Sequence, residues 1–176
     1  ADKWLDTAQE LDQGPPSESA LLQLEIAHQA FKDGDFAKCA NQLMRADSAM
    51  REANGVLQED WITYHFYATE LHYATGSTPT TSLVALEKAE KACKAAVDIG
   101  ERFPEVVPNL LYVCYGKYAK IRAELGDYAG AIPFAEKSVD GQVKRRISPR
   151  GISQAYSFLG EFHHYIGNFE QALNYL

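Results

Sequence analysis

Long apolar runs are missing from this chain. No stretch of about 18 uncharged apolar residues occurs, which excludes a membrane-crossing helix. Cysteine is scarce: Cys39, Cys93 and Cys114 are the only three and no two are closely paired. Their spacing writes neither a disulfide framework nor a zinc ligand set, so a reducing compartment is expected. Positive charge is in deficit, with 17 Lys and Arg against 24 Asp and Glu and a net charge of −7. That balance argues against nucleic-acid backbone as the main partner. There is no Gly-rich phosphate loop, nucleophile elbow, His-Glu-x-x-His or Cys-x-x-Cys. The N-terminus, Ala1-Asp2-Lys3-Trp4, carries no apolar signal region. These absences predict a cytoplasmic, non-catalytic chain without metal or cofactor.

What is present is regular. A chain of 176 residues, 46% hydrophobic and 23% charged, suits one folded domain or about four helix pairs. Three phrases repeat one physical arrangement: Gly34-Asp35-Phe36, Gly126-Asp127-Tyr128 and Gly167-Asn168-Phe169. Glycine takes the left-handed conformation that ends a helix. Asp or Asn then accepts hydrogen bonds from the free N–H groups opening the next helix. The aromatic is expected to wedge into the corner. Three residues after it, Cys39, Ala131 and Ala172 are small enough to let the two helices approach. A tandem helix–turn–helix unit marks a solenoid.

The apolar residues around each corner fall at spacings of three and four. In the last unit they are Tyr156, Leu159, Gly160, His163, Phe169, Ala172 and Leu173; in the unit before, Tyr115, Tyr118, Ala119, Ala131, Ile132, Ala135 and Val139. The first unit supplies Ala27, Ala30, Cys39, Leu43 and Ala46. A fourth, divergent unit is read from an aromatic-rich helix over 61–75, a turn at Gly76, a loop at 77–82 and a helix over 83–99. Its small packing positions would be Ala89, Cys93 and Ala96.

These phrases resemble the tetratricopeptide repeat family over residues 17–176. The resemblance implies an all-α right-handed superhelix of four helix pairs, at about 17–54, 57–100, 104–143 and 150–176. The turn glycines at 34, 76, 126 and 167 recur every 41 to 50 residues, against about 34 for the common repeat. A period near 42 resembles the longer-helix arrays of kinesin light chains, polarity adaptors and bacterial peptide-sensing regulators. Residues 3–11 read as a short amphipathic helix or the end of an earlier repeat, followed by a linker to residue 16. Leu176 falls inside a helix, so a piece of a longer protein is expected. Pro133, inside a helix, removes one hydrogen bond and predicts a mild bend.

Chemistry-bearing residues are few. Glu161 and His164 stand three apart, as in di-iron bundles, but such sites need a second pair and further glutamates; they read as a helix face. His163 takes an inward position as a hydrogen-bonded core residue. The cysteines read as small apolar contacts, because nothing marks the electropositive open site a reactive thiol needs. Lys144, Arg145, Arg146 and Arg150 read as a solvated inter-repeat loop interrupted by Pro149 and Gly151.

By the same resemblance, a partner is met by the inner face of the first helix of each pair. The residues implied are Glu25, His28 and Lys32; Thr63, Phe66, Tyr67, Glu70 and Tyr73; Lys117, Lys120 and Glu124; and Gln154, Ser157, Glu161, His164 and Tyr165. No asparagine accompanies Lys117 and Lys120, and Glu25, Glu70 and Glu161 would repel an acidic tail, so a carboxylate clamp is disfavoured. The expected function is a scaffold that binds a peptide or partner protein in the groove. The alternatives are a peptide-sensing module controlling an attached DNA-binding or catalytic domain, and a spacer.

Overall fold

The computed structural model describes residues 16–53, 55–76, 83–106, 108–146 and 149–175. Among the described residues there are eight helices and no strand. They are α1 (Pro16–Lys32), α2 (Phe36–Glu52), α3 (Gln58–Gly76), α4 (Leu83–Arg102), α5 (Pro108–Glu124), α6 (Tyr128–Arg145), α7 (Pro149–Tyr165) and α8 (Phe169–Tyr175). The segments read at 3–11 and 77–82, and Leu176, lie outside the described residues.

Consecutive helices pack as pairs, α1 on α2, α3 on α4, α5 on α6 and α7 on α8, and each pair rests on the next. The corners inside three of these pairs share one hydrogen-bond ladder. Gly34, Gly126 and Gly167 have φ of 77°, 89° and 81°. Their N–H groups donate to Phe31, Ala123 and His164 carbonyls, and the next residues donate one residue further back, to Ala30, Arg122 and His163. This is the Schellman ending, which only a left-handed residue permits. The second helix then opens on a cap. The Asp35 carboxylate accepts from Lys38 N–H at 2.9 Å, and Asp127 from Gly130 N–H at 2.8 Å. Cys39, Ala131 and Ala172 are buried behind these corners.

Several sequence readings need correction. The corner aromatics are not wedges: Phe36 and Phe169 remain 38% and 60% exposed. Only Tyr128 is half-covered, stacking on Tyr165 at 4.4 Å. Gly76 is the last residue of α3, buried and without a positive φ, so it is not a left-handed turn. Lys144 and Arg145 form the last turn of α6 and Arg150 the first turn of α7, rather than a loop. Cations suit a helix C-terminus, and proline suits the first helical position, where its missing N–H has no intrahelical partner. Arg146 ends α6 in the left-handed region without being glycine. Tyr156 and Leu173 are 36% and 76% exposed, the Tyr156 ring stacking on Tyr175 of α8 at 6.1 Å. Pro133 lies inside a continuous α6.

Three apolar clusters run through the stack, and each draws on a pair together with the next first helix. Leu24, Ala27, Leu43 and Met50 meet Ala68 and Leu71. Ile62, Ala89, Cys93 and Val97 meet Cys114, Tyr118 and Ile121. Ala119, Ala131 and Ala135 meet Leu159 and Phe162. Burying a side chain such as Ile121 or Phe162 contributes roughly 1.5–3 kcal/mol, so apolar contact also holds the junctions, although the first three pairs pack more extensively within themselves than against their neighbours. Ala89, Cys93 and Ala96 are fully buried, as their small-residue reading predicts. Burial pushes the Cys39 thiol to about 11 and the Cys114 thiol to about 12. His163 is buried beneath the Tyr175 ring at 5.6 Å, and its Nδ1 has no hydrogen-bond partner among the described residues.

Candidate functional site

The first helices of successive pairs, α1, α3, α5 and α7, are joined by side chains crossing from one to the next. From α1, His28 stacks on Tyr67 of α3 at 4.7 Å, and its Nδ1 lies 3.1 Å from the Tyr67 hydroxyl. Burial and nearby Lys32 hold the His28 imidazole below the usual histidine range. From α3, Glu70 pairs with Lys117 of α5 at 2.7 Å, both side chains being about one-fifth exposed. The Tyr73 hydroxyl donates to Glu124, and its ring lies 4.7 Å and 5.0 Å from the ammonium groups of Lys117 and Lys120. From α5, Lys120 reaches 5.9 Å from the Phe158 ring on α7 and 3.9 Å from Glu124.

This spine contains His28, Tyr67, Glu70, Tyr73, Lys117, Lys120 and Glu124 from the sequence reading, with Gln154 and Glu161 beside it on the cavities described next. Glu25 and Lys32 are exposed on α1, Thr63 is half-buried, and Ser157 is exposed on α7. Three residues sit elsewhere. Phe66 packs against the second apolar cluster. His164 meets the edge of Phe169 at the α7–α8 corner, and Tyr165 stacks on Tyr128 at the start of α6.

Two cavities open between α5 and α7. One, of about 250 Å³, is lined by Lys117, Lys120, Gln154 and Phe158, with Ser138 and Gln142 of α6 beneath. The Gln142 amide donates to Ser138 Oγ at 2.8 Å, and Ser138 donates to the Tyr112 carbonyl at 2.8 Å, so this floor is fixed. The other, of about 80 Å³, is lined by Lys120, Glu124, Tyr128, Phe158, Glu161 and Phe162. The sequence reading missed Phe158, Ser138 and Gln142. Phe158 falls between Gln154 and Glu161 on one helical stripe, and a search restricted mainly to polar residues passes over it. Ser138 and Gln142 belong to the second helix of their pair, which the family pattern leaves out of the groove.

The paired helices, their shared corner ladder and the inter-pair cores define a tetratricopeptide-like helical repeat fold. No family description matches the chain, and no curated protein does. A solved structure described as "Crystal Structure of the Apo Form of RapI" superposes with a TM-score of 0.78 at 14% sequence identity. The match covers 97% of this chain, which spans 57% of that one. At that identity the likeness concerns the fold. Among the described residues, no helix is long and apolar enough to cross a membrane.

Proposed function

We propose that this chain is a non-catalytic interaction module that holds a peptide segment of a partner protein against α1, α3, α5 and α7. The observation that carries the reading is the spine itself. Half-buried Tyr67, Tyr73 and Phe158 alternate with Lys117, Lys120 and carboxylates across α3, α5 and α7, and Lys117, Lys120 and Phe158 border two open cavities. Amphipathic side chains beside open volume suit a ligand with apolar and charged groups. The helices of 17 to 20 residues in the first three pairs exceed what a repeat of about 34 residues allows for each of two helices. That length supports assignment to the long-period subtype.

A photo-crosslinking amino acid placed at Ser157, on the α7 face, and in a second protein at exposed Lys94 of α4, tests the reading in cells that make the protein. Partner peptides captured from position 157 and absent from position 94 support it. Capture only from position 94 refutes it.

A further inference from the structure

The two cavities between α5 and α7 share a wall made by Lys120 and Phe158, yet their charges are opposite. Among the described residues lining the larger cavity, the charged ones are Lys117 and Lys120, and none is acidic. Its floor is the amide of Gln142, 7% exposed and tethered to Ser138. Glu70 already engages Lys117. Lys120 pairs less closely, 3.9 Å from Glu124, with its ammonium over the Tyr73 and Phe158 rings at 5.0 Å and 5.9 Å, so its charge is less neutralised than that of Lys117. The smaller cavity reverses the sign, with Glu124 and Glu161 facing the same Lys120. Its volume of about 80 Å³ is of the size of an ammonium or guanidinium head.

We infer that this groove reads a dipolar element in its ligand: a carboxylate entering the larger cavity and, a short step along the peptide, a lysine or arginine head entering the smaller one. The inference rests on the peptide-groove reading and names the chemistry that groove selects. Like charges brought together in a partly desolvated interface are costly, and opposite charges fix register. A peptide carrying the pair in the reverse order would set its cation against Lys117 and Lys120 and its carboxylate against Glu124 and Glu161. The Phe158 face between the cavities favours the cationic partner further. The carboxylate has two possible sources, an Asp or Glu side chain and a C-terminus.

The test uses short synthetic peptides that scan one Asp or Glu against one Lys or Arg, in both orders, at separations from adjacent to one helical turn. One set is acetylated and amidated, and a matched set ends in a free carboxylate. Affinity is read by fluorescence anisotropy against the wild type, Gln154→Glu and Glu161→Lys. Both substituted positions are exposed, so circular dichroism should show an unchanged fold. Oppositely charged pairs should bind in one order, and preference for the free-carboxylate set would identify a C-terminal source. Gln154→Glu should weaken these peptides about tenfold, as like-charge contacts do, and remove the choice of an acid. Glu161→Lys should exchange the choice of a base for an acid. Peptides that bind without charge preference, or whose preference ignores both substitutions, overturn the inference and leave the peptide groove standing. Failure of every peptide to bind overturns both.

Discussion

The Glu70–Lys117 pair links α3 to α5, and removing one partner should cost more than removing both. At 2.7 Å and about one-fifth exposure, Coulomb attraction between unit charges is at most about 6 kcal/mol at an effective dielectric of 20. Desolvation of both groups cancels most of it. Among the described residues Glu70 Oε1 is buried with no hydrogen-bond partner beside this ion pair, so leaving it without the cation costs roughly 1–3 kcal/mol. Lys117→Met should therefore destabilise the protein by about 2 kcal/mol, leaving the Glu70 carboxylate largely buried without its cation. With a urea m-value near 2 kcal/mol/M, the midpoint falls by about 1 M. Glu70→Leu with Lys117→Met should recover most of that loss, because two apolar groups of similar size replace the pair. The double-mutant cycle, measured by circular dichroism in urea, should give a coupling of about 1–2 kcal/mol. A coupling below about 0.3 kcal/mol, the scatter expected of independent sites, would refute the reasoning and reduce the bridge to a surface pair.

Two further outcomes are expected. A Cβ added at Gly141 would fall inside the Tyr112 ring, so Gly141→Ala should displace that ring at an overpacking cost of about 1–3 kcal/mol and lower Tm by a few degrees; an unchanged or higher Tm would contradict the packing. Burial holds the imidazoles of His28, His65 and His72 below their ordinary value of 6.5, so the unfolded chain takes up protons first and stability falls as pH drops below about 6.5. Tm should decline from pH 7.5 to 5.5, less steeply in His65→Gln, and a flat or rising profile would sink the assignment.

The corners were legible in the sequence because their chemistry is local. Gly34, Gly126 and Gly167 need a left-handed φ, Asp35 and Asp127 need a nearby N–H, and a few residues contain the whole motif. Small residues at Ala89, Cys93 and Ala96 were legible for a related reason, since helical spacing places them on one face. The cross-helix spine was partly legible through the resemblance, which supplied His28, Tyr67, Glu70 and Lys117 but not their pairings. Contacts such as Glu70–Lys117 join residues 47 apart in number, and their meeting depends on how one pair is set upon the next. Exposure of Phe169 and Leu173 was hidden for the same reason, because periodicity names a face without naming what covers it. The Lys144–Arg150 region was misread because two helix ends and a loop share polar, proline-containing composition. The dipolar cavities require three helices at once, and no local pattern announces them.

The repeated Schellman ladder has a mechanical consequence. Gly34, Gly126 and Gly167 are locked by two backbone hydrogen bonds each, so bending one of these corners means breaking main-chain bonds. The links between successive first helices are side-chain bridges that water can replace one at a time: His28 to Tyr67, Glu70 to Lys117, Tyr73 to Glu124. The array is thus a coil of stiff staples joined by softer clasps, and changes in its pitch should arise at the clasps. The same side chains would then set how tightly the coil is wound and whether its inner wall has room for a guest.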